Sequence, residues 1–73
     1  MAFKNKIRLD TMNEIQTFVN IVSRTEARVH LQDGKDYCVN ARSLLGAIAA
    51  MEWSDIYCIS DVDISGKISD FII

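Results

Sequence analysis

The hydrophobic pattern changes period several times along the chain, and each change marks an element. Phe3, Ile7 and Leu9 share one parity, while Lys4, Lys6 and Arg8 share the other. Residues 3 to 9 therefore read as a half-buried strand, with Asn5 the one polar residue on its apolar side. From Met12 the period becomes helical: Met12, Ile15, Phe18, Val19 and Val22 form one stripe that ends near Ser23 to Thr25. Thr11 and Glu14 stand at capping-box spacing, so the hydroxyl can accept from the Glu14 N–H while the carboxylate reaches back to the Thr11 N–H. Alternation returns with Ala27, Val29 and Leu31 against Arg28, His30 and Gln32. A tight Asp33-Gly34 turn then predicts a hairpin, since glycine accepts the positive φ such turns need. Asp36 to Val39 forms the returning strand, with Tyr37 and Val39 on one face and Cys38 on the other.

The second helix begins after Ser43, a suitable N-cap with Asn40 as a competitor for the role. Leu44, Leu45, Ile48 and Met51 fall at helical spacing and predict its buried face. Gly46, Ala47, Ala49 and Ala50 keep the helix slim enough to lie close to a sheet. Gly46 costs such a helix roughly 1 kcal/mol relative to alanine, which points to a close approach as the reason for it. Trp53-Ser54-Asp55 makes the next turn, and Ile56 to Ser60 is a strand apolar enough for the middle of a sheet. In the tail, Ile64, Ile68, Phe71 and Ile72 fit a helical stripe that Gly66 weakens.

The order strand, helix, strand, strand, helix, strand, with a short helix after it, predicts one α+β domain over residues 1–73. Its helices lie on one side of the sheet in a two-layer sandwich. Two arrangements share the βαββαβ order, an HPr-like sheet and a ferredoxin-like sheet, and periodicity does not choose between them. A chain of 73 residues builds one modest core and no enclosed enzyme cavity. The net charge of −2 gives no electrostatic reason to expect nucleic acid or an anionic membrane as partner. Cys38 and Cys58 lie on separate strands with no CxxC pair, and Lys4, Lys6 and Arg8 interrupt the N-terminal apolar residues where a secretory segment would be continuous. The expectation is a cytoplasmic protein with reduced cysteines, bound to no membrane.

The run Val39-Asn40-Ala41-Arg42-Ser43-Leu44-Leu45-Gly46 resembles the strand-to-helix junction of HPr, the phosphocarrier of the sugar phosphotransferase system. There too a strand ends, a basic residue precedes a serine, and apolar residues open a helix. Here the connection from hairpin to serine is longer, with Asp36-Tyr37-Cys38 adding to it. The resemblance extends over roughly residues 3 to 60. It implies a two-layer open-faced sandwich whose four-stranded antiparallel sheet runs in the order 1-4-2-3. It also implies that Ser43 corresponds to a regulatory phosphorylation site. Arg42, Leu44, Leu45, Gly46 and Ile48 would then belong to a surface that docks proteins of the phosphotransferase system or its regulators.

The resemblance fails at the carrier loop. In HPr a His-Ala-Arg-Pro-Ala sequence between the first strand and helix takes phosphate, with arginine and helix N–H groups holding the anion. The corresponding Leu9-Asp10-Thr11-Met12-Asn13-Glu14 has no histidine, arginine or proline, and Asp10 and Glu14 oppose an anion there. His30, the only histidine, falls on the solvent side of the second strand. One histidine and two scattered cysteines lack zinc-ligand spacing. No nucleophile–base pair or phosphate loop stands out, so no enzyme activity, cofactor or metal is expected. The expected function is an HPr-like docking or regulatory module without carrier chemistry; the alternative is a ferredoxin-like module that binds a small ligand or dimerises.

Overall fold

A computed structural model describes residues 2–73. Its elements follow in the order β1 (Phe3–Ile7), α1 (Met12–Ser23), β2 (Val29–Gln32), β3 (Cys38–Asn40), α2 (Leu44–Ala50) and β4 (Ile56–Ser60), ending in a 3-10 turn at Ser69–Phe71. The four strands form one antiparallel sheet in the order β1-β4-β2-β3. This is the order expected of an HPr-like sheet. A ferredoxin-like sheet would place the fourth strand at an edge, whereas β4 lies between β1 and β2. That arrangement is removed as an alternative.

Register shows which side chains share a face. Ile7 stands opposite Ile56, Asn5 opposite Cys58, Cys58 opposite Leu31, and Leu31 opposite Val39. This face is buried beneath the helices, where Ile15, Phe18, Val19 and Val22 of α1 join Ala47 and Ala50 of α2 in the core. The other face carries Lys4, Lys6, Tyr57, Ile59, His30, Gln32, Cys38 and Asn40, and no element of the described chain covers it. Phe18 and Phe71 meet edge-on with ring centroids 5.5 Å apart, which ties the tail to the first helix.

Local chemistry accounts for the boundaries. The capping box forms: the Glu14 N–H donates to Thr11 Oγ1, and Glu14 Oε1 accepts from the Asp10 and Thr11 N–H groups at 3.1 Å each. The hairpin loop is wider than a two-residue turn. Gln32 pairs with Cys38, the Asp33 N–H donates to the Tyr37 carbonyl, and Asp33 Oδ1 accepts from the Lys35 and Tyr37 N–H groups. The side chain of Asp33 thus replaces ladder bonds and delays β3 to Cys38. Gly34 has the expected positive φ of +83°.

Three expectations, two about burial and one about the tail, need correction. Met12 is exposed at the opening of α1, so the buried stripe begins at Ile15. Leu44 and Leu45 also lie outside the core, Leu45 at 78% exposure, while Ala47 and Ala50 are fully buried. The small residues let α2 approach so closely that its buried side is built of alanines, and the leucines are left outside. The tail is not a continuous helix either. It buries Ile64, Ile68 and Phe71, then joins the free edge of β1: Ile72 bridges Ile7, the Arg8 N–H donates to the Phe71 carbonyl at 2.8 Å, and the Ile73 N–H donates to the Lys6 carbonyl.

Candidate functional site

The β1–α1 loop is closed by its own capping chemistry. In an anion site at a helix N-terminus, free N–H groups point at the ligand. Here the Glu14 carboxylate takes the Asp10 and Thr11 N–H groups, and the Thr11 hydroxyl takes that of Glu14. Arg8, the nearest cation in sequence, pairs with Asp10 at 3.6 Å. An incoming phosphate would meet two carboxylates and few free donors.

The β3–α2 junction is organised differently. Asn40 Oδ1 accepts from the Arg42 N–H, and the Asn40 carbonyl accepts from the Ser43 N–H. Asn40 therefore builds the turn before the helix, and Ser43 is the N-cap, its hydroxyl accepting from the Gly46 N–H at 3.1 Å. No acidic residue occupies the first turn of α2. Ser43 is half-buried. A phosphate on it would meet the same backbone donors without a nearby like charge on the helix.

The five residues expected around Ser43 divide by environment. Leu44 and Leu45 are exposed, and Leu44 borders a shallow hollow lined with Gln16, Val19 and Asn20 of α1. Ile48 is partly buried against the core. Gly46 faces the sheet: a Cβ there would lie 3.1 Å from the Asn40 carbonyl oxygen and 3.3 Å from Val39 Cβ. Arg42 turns away from the serine. Its Nη2 donates to the Thr25 carbonyl and, at 2.8 Å, to the Ala27 carbonyl. Its charge thus ties the α1–β2 connection to the start of α2.

His30 is exposed on the open face of β2, across from Ile59 and Asn40. Cys38 is exposed at the sheet edge. Cys58 is buried, and burial pushes its thiol up to about 11, so it is a core residue with little thiolate at neutral pH. Among the described residues no group of three His, Cys, Asp or Glu side chains could hold a metal ion, and no helix is long and apolar enough to cross a membrane.

A second candidate surface escaped the reading of the sequence. Tyr37 and Trp53 stack with ring centroids 6.4 Å apart, beside Lys35, Glu52 and Asp55. The two aromatics come from different loops, and only the fold brings them together. No family model, curated protein or solved structure matches this chain.

Proposed function

We propose that this chain is an HPr-like docking or regulatory module of the sugar phosphotransferase system that lacks phosphohistidine chemistry. Its partners would be proteins of that system or their regulators, engaged through the exposed start of α2. The observation that carries the reading is the exposed Leu44-Leu45 pair directly after the Ser43 cap. Exposed apolar side chains grouped on one surface commonly mark partner sites. The capping box at the β1–α1 loop supports the second half of the reading, because it occupies donors that a carrier loop keeps for phosphate. Ser43 is the candidate regulatory phosphosite. A phosphate there would replace the hydroxyl as acceptor for the Gly46 N–H, and its added charge would alter docking at the adjacent leucines.

The test is the intact mass of the protein isolated from its own cells during growth on a preferred sugar, with peptide mapping of any phosphate. Acid-stable phosphate on Ser43 is the expected result. Acid-labile phosphate on His30 would mean a relocated carrier and would overturn the reading. Protein that carries no phosphate under any carbon source would remove Ser43 as a regulatory site.

A further inference from the structure

The open face of the sheet does not match the sequence of its central strand. β4 reads Ile-Tyr-Cys-Ile-Ser, a run typical of strands covered on both sides. Its inward residues Ile56, Cys58 and Ser60 are buried beneath the helices. On the outer side the Gly34 loop and Lys4 approach the Tyr57 ring, while Ile59 stands half-buried in an open hollow beside Arg28 and His30. A strand on an open face usually alternates apolar with polar residues, so a large apolar side chain left open at its centre, Ile59, calls for an occupant.

The surroundings specify the chemistry of that occupant. Register places Lys4 on one side of Ile59 and His30 on the other, and Lys6 beside Tyr57. Arg28 continues the parity of His30 along the second strand. The strands present no carboxylate on this face. Of the two acids at the ends of β4, Asp55 pairs with Lys6 at 3.1 Å, while Asp61, whose Oδ1 accepts from the Arg28 backbone N–H at 2.8 Å, keeps its charge beside Arg28, His30 and Ile59. Lys4 and Arg28 form no ion pair among the described residues. A chain of net charge −2 thus sets three cations, Lys4, Lys6 and Arg28, against two carboxylates, Asp55 and Asp61, around an apolar centre.

We infer that the open sheet face, centred on Ile59 and Tyr57 and flanked by Lys4, Arg28 and His30, docks an acidic segment of a partner polypeptide that carries apolar side chains. A second copy is disfavoured, since two such faces would bring like charges together. A nucleic-acid strand is disfavoured because binding of that kind relies on open aromatic faces for stacking. The single aromatic here has the Lys4 ammonium 4.5 Å from its ring centroid. This surface lies on the opposite side of the sheet from α2, so the inference stands apart from the phosphotransferase reading.

The experiment titrates isotope-labelled full chain with an acetylated, amidated peptide of glutamates interspersed with leucines, followed by amide chemical shifts. The glutamine–leucine counterpart, an oligothymidylate and phosphatidylserine vesicles are run in parallel. The expected result is shifts confined to residues around Lys4, His30, Tyr57 and Ile59, weakened by added salt and absent with the glutamine peptide. The double variant Lys4→Glu with Arg28→Glu weakens binding about tenfold, as two exposed ion pairs turned repulsive would. Ile59→Thr weakens it about fourfold, the effect of one methylene withheld from a dry contact. Both variants must keep the parent's thermal unfolding. Shifts on α1 and α2 instead, equal binding of the glutamine peptide, or charge reversal without effect would each overturn the inference. Stronger binding of the oligothymidylate or the vesicles at the same residues would overturn it in favour of that ligand.

Discussion

Replacing Arg42 by methionine removes a side chain that joins the α1–β2 connection to the β3–α2 junction. The guanidinium donates to the Thr25 and Ala27 carbonyls, and both of those residues are buried. A hydrogen bond to a charged donor contributes about 1.5–3 kcal/mol, and a carbonyl left without a partner in a buried setting adds a similar cost. Arg42 itself is largely exposed, so water reaches part of the site and lowers the sum. The expected loss is about 2–3 kcal/mol. A domain of 73 residues has a total stability of about 4–11 kcal/mol, so the loss is a large share of it. It corresponds to a fall in Tm of roughly 10–20 °C. Urea titration of Arg42→Met should show a lower midpoint with an unchanged slope, since the native fold is kept. Arg42→Lys should recover about half, because an ammonium donates but lacks the planar fork. A loss below about 0.5 kcal/mol, within the range of ordinary surface substitutions, would refute the bridging role. Equal losses for lysine and methionine would show that packing of the stem, not the paired donation, is what matters.

Gly46→Ala should destabilise by about 1 kcal/mol despite the better helix propensity of alanine, because the new methyl meets a carbonyl already held by the Ser43 N–H. Gly66→Ala, where a Cβ meets nothing within 4 Å, should be neutral or slightly stabilising in the same urea assay. For Cys58 the thiol is raised to about 11 in the folded chain, whereas an unfolded thiol ionises near 8.5. The folded state keeps its proton longer, so this contribution is complete below about pH 8.5 and is lost as pH rises to about 11, to a limit of about 3 kcal/mol. Stability measured across that window should fall less steeply in Cys58→Ala than in the parent. Leu45→Ala, at a position 78% exposed, should change stability by less than about 0.5 kcal/mol. A larger loss would show that Leu45 supports the fold and not a docking surface.

The legible parts of this fold were those written in local chemistry. Thr11 and Glu14 sit three residues apart and form the capping box; Gly34 takes the positive φ; Ser43 caps α2. The alternation around Val29 and Leu31 gave β2 its buried face. Periodicity failed at α2 because it registers apolarity and not size. Leu44 and Leu45 are large apolar residues of the helix and stand exposed, yet Ala47 and Ala50 are fully buried, because only small side chains fit a helix this close to its neighbours. Beside Ser43 in the sequence, Arg42 reads as a charge available to a partner or a phosphate. Its acceptors are backbone carbonyls 15 and 17 residues away, and a sequence gives no mark of a carbonyl that needs a donor. The tail's stripe of Ile64, Ile68 and Phe71 was apparent, but its antiparallel bridge from Ile72 to Ile7 depends on β1 being an edge strand, a property of the assembled sheet.

The most direct measurement incubates labelled protein with phosphoenolpyruvate and enzyme I, recording intact mass and amide shifts on the same sample. The account predicts no acid-labile phosphate, together with shifts at Leu44, Leu45 and Ile48 that Leu45→Ala abolishes. Phosphate on His30, or the absence of any shift along α2, would contradict it.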